Sequence, residues 1–163
     1  MGKKAIIYLA VALVILAFFV GFRIYAAQKR KKEKTHTDPS KMPPRKLTRS
    51  FTVKAKLEGA EWDNLAKWFT DNQGRVIDGD GGSKIVYWGE SASAQFGGML
   101  NVPFEQMPVR IIFLPNGESL DVRMDEDFGF QMFAGPAKSA FVEKNEKAFD
   151  FFEENIKRGF GAE

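Results

Sequence analysis

An uncharged run near the start of the chain constrains the fold more than any other feature. Residues 5–22 read AIIYLAVALVILAFFVGF, which is 18 residues without a charge. A helix rises about 1.5 Å per residue, so this run covers ~27 Å. The apolar residues after Arg23 extend it to the ~30 Å of a bilayer's hydrocarbon core. The sequence therefore predicts a single transmembrane helix over residues 5–27, preceded by a short tail of residues 1–4.

A cleaved signal peptide and a buried core helix are the alternatives for this segment. A signal peptide has a shorter apolar core, of about 7–15 residues, followed by a small-x-small cleavage site. The candidate site here is IYAA, in which the large residues Ile24 and Tyr25 stand where small ones are required. We therefore expect the helix to be retained as an anchor.

Basic residues flank the predicted span unequally and indicate its orientation. Two lysines precede the span, whereas the segment after it is densely basic with Glu33 as its sole acid. This predicted membrane-surface cluster consists of Arg23, Lys29, Arg30, Lys31, Lys32 and Lys34. Basic residues beside a span favour the cytoplasmic side, and each contributes about 1 kcal/mol of attraction to an anionic surface. We predict a cytoplasmic soluble domain, with the extracytoplasmic orientation left open by the two N-terminal lysines. The cluster is either a plain topology signal or a lipid contact.

Charge is segregated along the chain. Residues 1–49 hold 12 Lys/Arg and 2 Asp/Glu, a net charge of +10, whereas residues 50–163 hold 12 and 19, a net charge of −7. The acidic part would repel nucleic-acid phosphates at long range. The basic, Pro-containing segment 28–49 predicts an extended, solvated linker. We therefore expect the lipid bilayer, and no nucleic acid, among the partners.

Residues 50–163 predict a small acidic α+β domain. Alternation in FTVKAKL, residues 51–57, is typical of a half-buried strand, and apolar residues at helical spacing follow over 62–69. SKIVYWG is apolar on both faces, as in an interior strand, and the dipeptide at 116–117, Asn-Gly, indicates a hairpin. A long helix is predicted between Pro136 and Gly159. The pattern indicates an antiparallel sheet covered on one face by a short helix and a long C-terminal helix.

This order of elements resembles that of helix-grip lipid-binding domains, which also end in a long helix lying across a curved sheet. The resemblance implies a hydrophobic ligand held between the helix and the sheet.

The residues offer little for catalysis or metal binding. Cysteine is absent and His36 is the sole histidine, which excludes disulfides, cysteine-based zinc sites and a Ser-His-acid triad in the domain. DGDGGS, residues 78–83, predicts a turn, because Ser83 stands where a calcium loop needs Gly. The acids at 125–127 predict a solvated connection, with Mg²⁺ binding or acid–base chemistry as the alternative. We predict no cofactor, no metal site and no enzymatic activity.

Aromatic residues are in surplus. Residues 50–163 hold 13 Phe and three Trp, and we expect most of them to form the core that a small domain needs. FGFQMF, predicted as a last strand, would be apolar on both faces, and Trp68 lies off the helical stripe. Exposed apolar patches mark partner or lipid contacts. The candidate contact residues are Trp68, Phe128, Phe130, Met132 and Phe133.

These features lead to two hypotheses of different classes. The first is a single-pass membrane-anchored, non-enzymatic binding or adaptor protein, which presents its domain to a protein partner or to itself. The alternative is a membrane-tethered domain that binds a lipid or another hydrophobic ligand.

Overall fold

A five-stranded antiparallel sheet organises the part of the chain that the structure, a computed structural model, describes. The described residues are Gly21, Asp38, Pro39, Met42, Arg45 and residues 47–89, 102–127 and 136–162. The chain divides into two units, Met1–His36 and Thr37–Glu163. All of the strands and helices below belong to the second unit.

The sheet joins the first strand to the last. Its strands are β1 (Thr48–Val53), β2 (Arg75–Asp78), β3 (Lys84–Trp88), β4 (Val109–Asn116) and β5 (Ser119–Glu126). Their spatial order is β1-β5-β4-β3-β2, and every neighbouring pair is antiparallel. β1 and β2 are therefore the two edges. The predicted α+β class with a small antiparallel sheet is confirmed.

Two helices pack on one side of the sheet, here called the helix side. α1 (Ala60–Asp71) buries Trp62, Leu65 and Phe69, as the helical spacing predicts. α2 (Pro136–Gly159) buries Phe141, Ala148, Phe149, Phe152 and Ile156. These residues contact the inward side chains of the strands in one hydrophobic cluster. Burying each large apolar side chain contributes about 1.5–3 kcal/mol, so this cluster dominates the stability of the domain.

β1 occupies a different stretch from the one that its alternation predicts. The sequence predicts a strand over 51–57, whereas β1 ends at Val53. Val53 pairs with Leu120, and the next positions of β5 enter the turn that joins it to β4. β1 therefore has no partner beyond Val53, and it begins earlier because β5 continues to Glu126.

The other side of the sheet, here called the far side, carries a second and smaller apolar cluster. Met42 packs there against Ile85, Tyr87 and Ile112 and is only 4% exposed. Composition predicts that the whole segment 28–49 is solvated, and at Met42 this expectation is wrong. A single methionine between prolines has no periodicity, so its burial is set by long-range packing.

None of the helices within the described ranges is long and apolar enough to cross a membrane. The predicted span, residues 5–27, lies outside those ranges except for Gly21. The transmembrane helix therefore stays a prediction.

Candidate functional site

Trp68 is the member of the predicted contact set that falls within the described residues. Its ring does not stand free: it stacks on Trp88 of β3, with centroids 5.4 Å apart and planes 19° apart. Trp68 remains half-buried, so part of its surface is open to solvent. The other predicted contacts, Phe128, Phe130, Met132 and Phe133, lie outside the described residues, as does the basic cluster of Arg23, Lys29, Arg30, Lys31, Lys32 and Lys34.

Two further half-buried aromatic residues continue the surface that Trp68 begins. Phe151 on α2 lies 6.1 Å from Trp68 between ring centroids, and Phe104 lies 6.1 Å from Phe151. We call Trp68, Phe104 and Phe151 the aromatic rim. All three pack from the outside against the buried cluster of the helix side. The sequence prediction missed Phe104 and Phe151, which come together with Trp68 only through the packing of α2 on α1 and the sheet.

The aromatic rim rests on rigid elements. Phe104 begins a short 3₁₀ turn, Phe104–Gln106, and Trp88 Nε1 donates a 2.6 Å hydrogen bond to the carbonyl oxygen of Glu105 in that turn. Trp68 and Phe151 are held by α1 and α2. A rigid aromatic surface that is partly wet suits a binding contact, because little side-chain entropy is lost when a partner covers it.

The acids at 125–127 are built into the sheet. Arg110 Nη2 donates to Asp125 Oδ2 at 2.6 Å, and Thr48 Oγ1 donates to Asp125 Oδ1 at 2.9 Å. Asp125 is 0% exposed and Glu126 is 2% exposed. The expectation of a solvated connection without a fixed basic partner is therefore wrong at these residues. Arg110 and Asp125 are equally far along the chain from the β4–β5 turn, so they face each other across the hairpin. Counting residues outward from the predicted turn would therefore have revealed the pair.

The Arg110–Asp125 pair belongs to a line of side chains that crosses the far side of the sheet. The strand registers place Thr48, Asp125, Arg110, Tyr87 and Arg75 side by side on the five strands. At the β2 end of this polar row, the Arg75 guanidinium lies 4.9 Å from the centre of the Tyr87 ring, a cation–π contact. The row thus runs from one edge of the sheet to the other.

Two more arginines approach the same acids. Arg123 Nε lies 3.2 Å from Asp125 Oδ2, and Arg45 Nη2 lies 3.7 Å from Asp127 Oδ1. The Asp125 carboxylate is therefore surrounded by guanidinium groups and a hydroxyl, and both of its oxygens are engaged. A carboxylate held in this way ties β1, β4 and β5 together and is poorly placed to accept a proton from a substrate.

The motif that suggests calcium binding lies in a connection between two strands. DGDGGS joins β2 to β3, and within it Ser83 Oγ donates to the Asp80 carbonyl oxygen at 2.7 Å. GESAS, residues 89–93, is similar to the nucleophile elbow G-x-S-x-G but has Ser where the last Gly belongs, and only its Gly89 is among the described residues. Those residues contain no group of three or more His, Asp or Glu side chains arranged to hold a metal ion.

A charged contact joins the edge strand β1 to α2. Arg49 on β1 forms ion pairs with Glu146, Asp150 and Glu153 on α2. Burial alone would lower the pKa of Arg49, but the hydrogen bonds and negative charges of Asp150 and Glu146 outweigh it and raise that pKa. Arg49 therefore remains a cation and fastens the helix to the edge of the sheet.

Comparison with protein-family models, with curated proteins and with solved structures finds no match for this chain.

Proposed function

We propose that the chain is a single-pass membrane-anchored, non-enzymatic binding or adaptor protein that presents its α+β domain, on the cytoplasmic side, to a protein partner or to a second copy. The uncharged run at residues 5–22 and the basic residues after it support the anchor and its orientation. The aromatic rim of Trp68, Phe104 and Phe151 is the observation that carries the binding role.

The rim has the chemistry of a protein contact. A large aromatic side chain can bury roughly 150–250 Å² of surface in a contact. Trp and Phe are also enriched at the surfaces where protein partners bind. Trp in particular supplies a large share of the binding energy at such centres. The rim presents Trp68 beside two further rings at fixed spacing, which favours one well-defined partner surface.

The charged residues of the domain support a binding role over a catalytic one. The Asp125 carboxylate, the best candidate for acid–base chemistry, is buried against Arg110 and Thr48. Such a group joins three strands of the sheet, and both of its oxygens are engaged by side chains of the protein.

The lipid-binding alternative receives no specific support from the described residues. Between α2 and the sheet, the Phe152 ring lies 5.1 Å from that of Trp88. Between α1 and the sheet, the Phe69 ring lies 6.2 Å from that of Phe113. Aromatic side chains thus occupy the space in which a helix-grip domain would hold its ligand.

A pair of substitutions at Trp68 tests the proposal. Trp68→Ala removes the largest ring of the rim, whereas Trp68→Phe keeps an aromatic ring on Trp88. The full chain, cross-linked in native membranes and purified in a neutral detergent, is expected to recover a stoichiometric protein partner or a second copy. We expect Trp68→Ala to lose that species and Trp68→Phe to keep most of it.

Two results would contradict the proposal. Equal recovery from Trp68→Ala, with an unchanged far-ultraviolet circular dichroism spectrum as the fold control, would remove the rim from the contact. A lipid that remains bound in native mass spectrometry, with no protein partner, would favour the alternative.

A further inference from the structure

The outer edge of β1 offers unused backbone hydrogen-bonding groups. The Glu126 amide donates to the Leu47 carbonyl oxygen at 3.1 Å, and the same register continues along β1 and β5. In an antiparallel pair, alternate residues direct their backbone groups at the partner strand, and the residues between them direct theirs away. The N–H and C=O groups of Thr48, Ser50 and Thr52 therefore point away from β5. No hydrogen bond within the described ranges reaches these groups.

The opposite edge of the sheet is protected in ways that β1 is not. β2 has four residues and a charged residue at each end, Arg75 and Asp78. Short length and charge are the usual means of keeping an edge strand from pairing with another chain. β1 has six residues, and its single charge, Arg49, points to the helix side and is bound by carboxylates of α2. Among the described residues, β1 is thus the edge that is open to a further strand.

Negative charge lies beside this open edge. Glu146 and Asp150 share the one guanidinium of Arg49, while Glu153 is also paired with Lys157 at 2.7 Å. The side chains of Glu146 and Asp150 are 47% and 69% exposed, so both remain accessible to a further cation. The unit that contains β1, Thr37–Glu163, holds 16 Lys/Arg and 20 Asp/Glu, a net charge of −4, which attracts a basic partner at long range.

We propose that β1 accepts an extended basic segment of a partner protein as a sixth strand of the sheet. The added strand bonds to the backbone groups of Thr48, Ser50 and Thr52. Its Lys or Arg side chains, at alternate positions, contact Glu146 and Asp150 on the helix side. This inference rests on the proposed protein-binding function and adds a second contact, three strands away from β3, whose Trp88 stacks on Trp68 of the aromatic rim.

The far side of the added strand is specified as well. Thr48, Ser50 and Thr52 point to the far side, where Thr48 and Thr52 already donate to Asp125 and Asp121. Cross-strand pairs of Thr with Thr or Ser are favourable in antiparallel sheets. The preferred segment therefore alternates basic residues with Thr, Ser or Val, and lacks Pro at the positions that bond to β1.

Peptide binding to the full chain in neutral detergent tests the inference. The probes are a short peptide of alternating Lys and Thr, its counterpart with Glu in place of Lys, and a Lys–Thr peptide with N-methylated backbone amides along the bonding edge. We expect the Lys–Thr peptide to bind at least about tenfold more tightly than the other two, because it alone offers both charge and backbone donors. Hydrogen exchange should show new protection at the amide of Ser50.

Variants of β1 and α2 separate the two parts of the contact. Ser50→Pro removes an outward N–H while leaving the ladder to β5 intact, and Ser50→Thr is the matched control that keeps the N–H. We expect the affinity for the Lys–Thr peptide to fall about tenfold in Ser50→Pro and to stay almost unchanged in Ser50→Thr. Glu146→Gln combined with Asp150→Asn should weaken the Lys–Thr peptide and flatten its salt dependence, with no gain for the N-methylated peptide.

Either of two results would overturn the inference: equal affinity for the Lys–Thr and N-methylated peptides, or an unchanged affinity in the α2 double variant. If Ser50→Pro fails to fold, the N-methylated peptide still tests the backbone hydrogen bonds, because it removes the donors of the ligand and leaves the protein unchanged. Recovery of a partner that depends on Trp68, together with failure of the peptides, would reject the sixth strand and leave the proposed function standing.

Discussion

Arg110 and Asp125 face each other across β4 and β5, and Arg110 Nη2 lies 2.6 Å from Asp125 Oδ2. Both side chains are buried, and Thr48 of β1 donates to the second carboxylate oxygen. Removing two charges from water is costly, and close geometry with further hydrogen bonds is what offsets that cost. The pair therefore fixes the mutual register of three strands more than it adds net stability.

Removing one member of this pair should destabilise the domain strongly. Asp125→Leu takes the Asp125 carboxylate away from the buried guanidinium of Arg110, and we expect a loss of about 3–5 kcal/mol in the free energy of unfolding. The double variant Arg110→Met/Asp125→Leu replaces both charges with apolar groups and should recover most of that loss. Urea unfolding followed by tryptophan fluorescence measures both, since Trp62, Trp68 and Trp88 all lie in the folded unit.

The exposed pair on α1 is the control for this experiment. Lys67 and Asp71 form an ion pair whose side chains are largely in solvent, so Asp71→Asn should change the unfolding free energy by less than about 0.5 kcal/mol. If the double variant at Arg110 and Asp125 is no more stable than Asp125→Leu, the buried charge of Arg110 is not the cause of the loss in Asp125→Leu.

Gly89 should be far less tolerant of a side chain than Gly81. Both residues have positive φ, +71° at Gly89 and +67° at Gly81. A Cβ at Gly89 would lie 2.6 Å from the Gln106 carbonyl oxygen and 2.7 Å from that of Met107, whereas at Gly81 it would meet nothing within 4 Å. We expect Gly81→Ala to lower the free energy of unfolding by about 1–2 kcal/mol, because the alanine backbone is strained at positive φ.

We expect Gly89→Ala to lower the free energy of unfolding by about 3–5 kcal/mol, because the backbone of the turn before β4 must also move. Thermal unfolding of the two variants under the same conditions provides the comparison. Equal shifts in melting temperature would show that the close approach of Gly89 to this turn does not contribute.

Local signals were sufficient for the elements whose neighbours in space are also neighbours in sequence. Asn116 and Gly117 predict the β4–β5 hairpin because that turn favours residues with positive φ, and Gly117 has φ +63°. Pro136 and Gly159 bound α2 as predicted, since proline suits the first helical turn and glycine the end. The apolar stripe of α2 could be predicted from the helical spacing of its apolar residues alone.

Other features depend on contacts that local patterns do not encode. Met42 is buried by residues of β3 and β4 that follow it by more than 40 positions in the sequence. The burial of Asp125 depends on Arg110 and Thr48, which lie on two other strands. The aromatic rim likewise depends on how α2 crosses the sheet, so only Trp68 was visible as an off-stripe residue.

Met42 should contribute to stability although it lies before the first strand. Met42→Ala exposes Ile85, Tyr87 and Ile112 on the far side, and we expect a loss of about 2 kcal/mol with faster amide exchange in β3 and β4. Met42→Leu conserves the volume and should cost less than about 1.5 kcal/mol. An unfolding curve for Met42→Ala that matches the unmodified chain would show that the segment is not a structural part of the domain.

The Glu143–Lys147 pair on α2 gives a prediction about pH. Lys147 Nζ lies 2.7 Å from Glu143 Oε1, and this hydrogen bond and the lysine charge lower the pKa of Glu143 from its ordinary value of 4.5. A carboxyl whose pKa is lowered by folding favours the folded state above its unfolded pKa. That contribution is lost as the pH falls below 4.5 through the depressed value.

Lys147→Met should return the pKa of Glu143 toward 4.5, while Lys147→Arg should keep it low because the cation is retained. An NMR titration of the Glu143 carboxyl carbon measures both variants directly. Salt at about 1 M should raise the pKa in the unmodified chain, since both side chains are exposed and their attraction is screened. A titration curve that is identical in Lys147→Met and the unmodified chain would show that the contact does not persist in solution, and the pH dependence of unfolding would then have to come from other carboxyl groups.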